Sequence, residues 1–386
     1  MRIVVAGGGV AGSASAAALA RCGHEVSVYE AYEDPAGPVG SFLSLAANGL
    51  RGLAVLGCLP AVQEAGIAVA RQRMWSGRGK LLADVPRGRR GSDSLLSITL
   101  MRADLVTVLR AAAVDAGARF VTGTRLSPAD LRDIVASGAD VVVGADGIWS
   151  AARTAIDPAA RQPAYAGLYS VSGASASLDL DPGSWNFIFA RHGAFIWLQA
   201  PDRTIWWTAQ VAGPEPADLS AVGPEALGGL FHSEATIARI LAATQVRHGA
   251  TLHHVLAPVR RRHDDRIVLI GDAAHPVGAG QGASMAIEDA IALAQQLRVG
   301  ASVPAALAGF DQVRRARVGK MAKSAAANRD AKTAGPVAAR LREMIMPVVF
   351  SRVYERATGW LYDYDPGTLP SGQTATARSQ PQGQRP

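Results

Sequence analysis

The sequence predicts an α/β protein: a parallel-sheet nucleotide-binding domain, an inserted antiparallel sheet and C-terminal helices. Three observations carry this reading. A β-branched run at residues 2–6 leads straight into a glycine-rich turn. Two more such runs, 141–143 and 266–270, lead into Gly144-Ala145-Asp146 and Gly271-Asp272. Between these runs, residues 163–257 change to alternating aromatic and polar residues.

The chain has 386 residues, of which 49% are hydrophobic and 18% charged. That length implies two domains, or one large unit with an inserted layer. It also supplies a core that needs no disulfide framework. Cys22 and Cys58 are the only cysteines and lie far apart. They read as free thiols in a reducing compartment, not as a secreted scaffold or a zinc module. A formal charge of +7 favours anions such as cofactor phosphates. It is too diffuse to indicate nucleic-acid binding. The first twenty residues resemble a signal peptide superficially, with Arg2 and Ala14-Ser15-Ala16, but Gly7-Gly8-Gly9 interrupts the apolar run. No apolar stretch reaches the roughly 18 residues that a membrane span needs. The expectation is a soluble, cytoplasmic protein.

Residues 2–6, RIVVA, read as a buried strand. Gly7, Gly9 and Gly12 then match G-x-G-x-x-G, small residues 13–20 suit a close-packed helix, and a second strand, 25–29, ends at Glu30. Gly7 permits the tight turn, Gly9 lets backbone approach a pyrophosphate, and Gly12 lets helix and strand pack closely. The helix N-terminus offers free N–H groups to phosphates, and Glu30 can accept from a ribose diol. This Rossmann-like unit binds a dinucleotide; it leaves NAD and FAD both open.

The later motifs are Gly144-Ala145-Asp146-Gly147 through Arg153, Gly271-Asp272-Ala273-Ala274-His275-Pro276, and Gly280-Gln281-Gly282-Ala283-Ser284-Met285 through Asp289. With the first, they make residues 1–365 resemble the class A flavoprotein monooxygenases, the para-hydroxybenzoate hydroxylase-like family. Within that family the pattern is nearest the short, salicylate hydroxylase-like type. The resemblance implies a Rossmann-like FAD-binding domain from residues 1–70, 95–160 and 258–335. It implies a substrate-binding sheet domain from 71–94 and 161–257 and a helical segment at 336–368, while the Ser-, Gln-, Gly-, Pro- and Thr-rich composition of the end of the chain reads as a disordered tail at 369–386.

It also implies site residues. Gly7, Gly9, Val10, Ala11, Gly12 and Glu30 would hold the ADP part of FAD. Arg102 would start a helix and contact the diphosphate or ribityl side, and Leu126 would give adenine a backbone contact. Asp146 and Arg153 would belong to a motif linked to FAD and NAD(P)H. Asp272 would accept a ribityl hydroxyl, and Gly280, Gln281, Gly282, Ala283 and Ser284 would lie against the flavin ring. Backbone N–H groups there can stabilise charge on reduced flavin. His275 reads as packing within its own loop rather than as a base. The loop 276–279 is shorter than the family pattern and lacks a second proline, and Ala31 replaces the usual arginine after the strand-ending acid.

Four of the seven tryptophans fall at Trp185, Trp197, Trp206 and Trp207. They read as one pocket wall and one core face of an antiparallel sheet, with Asn186, Arg191, His192 and Gln210 as polar candidates. Residues 284–297 and 303–333 read as helices. Nine Lys or Arg against two acids at 311–342 read as a solvated face. No metal-ligand spacing appears among the eight scattered histidines.

The resemblance implies NADPH or NADH as cosubstrate, O₂, and oxygen delivery to an aromatic or polycyclic small molecule through a flavin C4a-hydroperoxide. Catalytic side chains are not identified, and monomer and homodimer both stay open. A Rossmann-like dehydrogenase is disfavoured by the Gly271–His275 motif. A non-oxygenating rearrangement or cyclisation on the same fold is the alternative.

Overall fold

The computed structural model describes residues 1–34, 37, 42–276, 280–332 and 336–369, without the side chains of 328–332 and 336–339. Three sheets organise it. A five-stranded parallel sheet runs Ile267–Leu269, Val141–Gly144, Arg2–Ala6, Glu25–Tyr29 and Arg119–Val121 in spatial order. Its centre is apolar on both faces because helices cover both, as parallel sheets require. Ile3 and Val5 pack on one side, while Val4 and Ala6 pack on the other.

The helix Val10–Arg21 follows the first strand and buries Gly12 through Ala20. Its Ala and Ser side chains are small enough to be enclosed between the sheet and the helices Arg102–Asp115 and Gly282–Val299. A large residue here would push these layers apart. A three-stranded antiparallel sheet, Phe42–Leu45, Ser97–Met101 and Ile67–Val69, joins this layer to the next.

The third sheet has eight strands and includes the pair Arg71–Ser76 and Leu81–Pro86 as well as five strands between Ala164 and Arg247. Its two faces differ, as strand alternation dictates. Trp197, Trp207, Phe195 and Ile188 pack beneath the helices Pro224–Leu230 and Ala235–Ala242. Trp185, Ile196 and Leu198 turn the other way, with Phe187 and Trp206, onto Phe42 and Met101 of the small sheet. The second face therefore looks at the nucleotide-binding layer.

Two long helices, Val303–Lys332 and Pro336–Tyr362, close the fold. The latter runs through Pro347, although proline removes a helical N–H donor. No described helix is long and apolar enough to cross a membrane. The expected disordered tail lies outside the described residues, except Leu369, which packs on the main core. Val277, Gly278 and Ala279 of the shortened loop also lie outside them.

Candidate active site

The site forms where the three motifs meet. Gly7 holds φ at +97°, and a Cβ there would lie 2.5 Å from the Ala145 carbonyl oxygen. The first and second motifs therefore touch backbone to backbone. A Cβ on Gly12 would come within 1.7 Å of the Gly7 oxygen, so only hydrogen fits. A Cβ on Gly271 would lie 2.9 Å from the Ala11 methyl, which brings the third motif against the first. The helix beginning at Val10 has no side-chain cap, so its first-turn N–H groups face the turn unsatisfied by a cap.

Glu30 is 7% exposed and shapes the turn. Its Oε2 accepts from Gly8 N at 2.6 Å and its Oε1 from Tyr32 N at 2.9 Å. Each oxygen retains a lone pair for a ribose hydroxyl. Arg102 begins its helix, and its Nη2 would be 3.2 Å from a Cβ on Gly9. Burial pushes this guanidinium down, while the Glu30 and Asp272 carboxylates push it up. One cation thus sits in the fields of both acids at the cradle.

Asp272 projects from the turn after Ile267–Leu269 and is open to the cleft. Removal from bulk water raises its pKa, offset by His275 and Arg102. A carboxylate so placed gains most from a hydroxyl donor. Gly282 adjoins it, with a built Cβ 3.6 Å from Asp272 Oδ1. Ser284 is buried against Gly49, and its Oγ finds no partner among the described residues. Gln281 caps the same helix and lies 3.4 Å from Asn48 Nδ2. The residues expected to hold the two ends of FAD are thus brought into one cleft. Leu126 is half-buried against the apolar cluster that includes Val4 and Ala6.

Asp146 and Arg153 stand behind the cradle. Asp146 Oδ2 accepts from Ala152 N at 3.0 Å, and burial raises its pKa. Arg153 is 2% exposed and donates to Ala273 O at 3.1 Å and Ile148 O at 2.6 Å. It braces the back of the Asp272 turn. From there a cavity of about 480 Å³ opens, lined by Arg153, Arg161, Arg260 and Arg261 against one acid, Asp157.

Sequence reasoning missed the buried charge network beneath. Asp289 Oδ2 accepts from Gly271 N at 2.9 Å and lies 2.5 Å from His275 Nε2. Arg314 Nε donates to Asp289 Oδ1 at 2.7 Å, and its Nη1 donates to Glu288 Oε2 at 2.8 Å. Arg317 and Asn48 complete the set around Glu288. Burial opposes ionisation of Asp289, but His275 and Arg314 override it and hold the carboxyl well below the usual range. An ionised acid only accepts, so His275 Nε2 carries the hydrogen. His275 therefore anchors its loop. The available signal was two consecutive acids in an otherwise apolar helix.

The polar candidates of the large sheet divide by face. Asn186 accepts from Trp75 Nε1 at 3.0 Å on the side packed by helices, not on the pocket side. The Arg191 amide turns to Glu234, and His192 lies in the neighbouring hairpin turn. Gln210 alternates with core residues Ala209 and Val211, so it faces the nucleotide-binding layer. It is 5% exposed, and its Oε1 has no partner among the described residues.

The layered fold, the glycine cradle and the facing aromatic wall define an FAD-dependent monooxygenase. Residues 1–325 match the family described as FAD binding domain, and the chain belongs to it. It is 32% identical over 365 residues to a kynurenine 3-monooxygenase of Salinispora arenicola, covering 85% of this chain and 79% of that one. It is 30% identical over 334 residues to an aurachin C monooxygenase/isomerase of Stigmatella aurantiaca, covering 81% and 85%. A salicylate hydroxylase substrate complex superposes with a TM-score of 0.76 at 20% identity, covering 95% and 96%.

Proposed function

We propose that this chain is a cytoplasmic, NAD(P)H- and O₂-consuming monooxygenase that hydroxylates or epoxidises an aromatic or polyketide-like small molecule of secondary metabolism. The carrying observation is the aromatic face. Trp185, Phe187 and Trp206, with Ile196 and Leu198, pack with Phe42 and with Met101, the residue before Arg102 of the cradle. Such a wall binds a flat apolar ring and excludes water. The relatives named as acting on kynurenine and aurachin C fit a substrate of that kind.

FAD, once bound, supplies the redox and oxygen-activating chemistry. The protein's part is to hold it and keep the site dry. Gly7 to Gly12 and Glu30 would take the ADP half, and Asp272 the ribityl chain. The helix start at Gly282 would offer N–H groups to the ring. The four-arginine cavity behind the Asp272 turn fits the phosphates of a nicotinamide cosubstrate. Turnover under ¹⁸O₂ tests the reading: one labelled oxygen atom enters the product, and NAD(P)H oxidation accelerates when substrate is present.

A second reading has a specific support, because the aurachin C relative is named monooxygenase/isomerase. A rearrangement without net oxygenation would yield an isomer of the substrate with no label.

A further inference from the structure

The helix Pro336–Tyr362 is apolar on two faces. Its inner face packs into the fold, where Met346 joins Leu82 and Ala83, and Tyr354 joins Val85 and Met285. Its outer face carries Leu341, Met344, Ile345, Val348, Val349 and Val353, each between 42% and 73% exposed. Steps of three and four residues set all six along one side of the helix. They span about 18 Å at 1.5 Å per residue. The other exposed large apolar side chains among the described residues are scattered over separate elements. Apolar groups exposed singly are ordinary, but a contiguous stripe marks an interaction surface. A helix that is apolar all round is one that is covered on both sides.

The charge on the outer face has one sign. Among the described residues of this helix, the exposed charged side chains are Arg340, Arg352 and Arg356. Its two acids, Glu343 and Glu355, are half-buried, and Glu355 Oε1 accepts from Gly91 N at 3.2 Å. Lys320, on the preceding helix, adds a cation 4.2 Å from the centroid of the Trp360 ring. Charge then selects the occupant. Residues 370–386 contain Arg378 and Arg385, no acid and no large apolar residue, so they offer the stripe neither apolar cover nor counter-charge. A second copy laid along the stripe, parallel or antiparallel, sets cation against cation. A bilayer with anionic headgroups supplies both partners: acyl chains for the apolar ridge and phosphates for the arginines, whose long stems reach outward.

We propose that the outer face of Pro336–Tyr362 docks the protein on an anionic lipid surface. The helix lies in the plane of the headgroups, with Leu341 to Val353 dipping toward the acyl chains and Arg340, Arg352 and Arg356 at the phosphates. This is docking on a surface, not a span, and it goes beyond the oxygenation proposed above without depending on it.

The test is flotation of the FAD-bound full chain with two kinds of vesicle: phosphatidylcholine alone, and phosphatidylcholine with phosphatidylglycerol in equal parts. The protein binds the mixed vesicles about tenfold or more tightly than the neutral ones, as several arginines near a charged surface imply. Salt at about 1 M removes most of that preference. Met344→Ser combined with Val348→Ser weakens binding to the mixed vesicles about tenfold or more. Arg352→Gln combined with Arg356→Gln removes most of the preference for the mixed vesicles. Both double variants keep the wild-type flavin spectrum and melting temperature, because every changed side chain is exposed. No binding to the mixed vesicles, equal binding to both kinds, or unchanged binding in the Met344→Ser, Val348→Ser variant overturns the proposal. A dimer in sedimentation that the same double substitution splits also overturns it, because the face then belongs to a second copy. Flotation reads no turnover, so failure of the oxygenase reading leaves this result intact.

Discussion

Replacing Asp289 by Asn probes the network that holds the FAD turn. Three donors converge on this carboxylate: Gly271 N, His275 Nε2 and Arg314 Nε, at 2.9, 2.5 and 2.7 Å. The residue is 1% exposed, so water cannot replace any of them. Asn offers one accepting oxygen and an NH₂ that must face at least one donor. It also leaves Arg314 with Glu288 as its remaining acid. Breaking a buried charge pair in this way costs about 3–5 kcal/mol. The pH dependence adds a second signature. The folded-state pKa of Asp289 lies below the unfolded value of about 3.9, so the unfolded chain binds the extra proton first on acidification. Wild-type stability from this group is complete above about pH 5 and declines as pH falls through about 4 and below. Asp289→Asn lacks that contribution at every pH and its slope. Urea midpoints at about pH 7 and about pH 4, with FAD content from visible absorbance, measure both. FAD retention falls with stability, because Gly271 N loses the anchor that aims Asp272. A variant within about 1 kcal/mol of wild type that keeps its flavin would refute the reasoning.

Three further outcomes are expected. Gly12→Ala places a methyl 1.7 Å from the Gly7 oxygen and yields protein without co-purifying flavin. Asp272→Asn keeps the shape of a side chain that is open to the cleft and removes its charge. Flavin titration of the same variant shows affinity weakened about tenfold or more, since a charged acceptor is lost. Arg260→Ala or Arg261→Ala raises KM for NAD(P)H several-fold in steady-state assays, with kcat nearly unchanged, as loss of uniform binding does.

The parallel-sheet layer was legible because its signals are local. RIVVA followed by Gly7, Gly9 and Gly12 encodes strand, turn and helix within eleven residues. The change to alternating aromatics also announced the antiparallel sheet, since side-chain period follows strand geometry. Which face each aromatic takes was not legible. Asn186 reads as a pocket residue until Trp75, more than a hundred positions earlier, is seen to donate to it from the other side. Glu288 and Asp289 were visible as acids in an apolar helix, but their partners Arg314 and Arg317 lie on the next helix. There they looked like part of a solvated basic face, although Arg314 is 2% exposed.

Arg153 stands between the Asp272 turn and the four-arginine cavity proposed for the cosubstrate. Its fork donates at once to Ala273 O, directly after Asp272, and to Ile148 O. The same residue lines the arginine cavity. Lys at this position keeps a positive charge for phosphates but presents a compact ammonium instead of a planar fork. One of the two carbonyls then loses a charge-assisted hydrogen bond, worth about 1.5–3 kcal/mol. Arg153→Lys should therefore weaken FAD binding through a displaced Asp272 turn and also raise KM for NAD(P)H. Arg260→Ala, which lines the cavity without touching the turn, should change KM alone. Parallel flavin titrations and steady-state kinetics on the two variants decide the matter. If Arg153→Lys leaves FAD affinity at the wild-type level, the brace carries no load and the Asp272 turn is held by Asp289 alone.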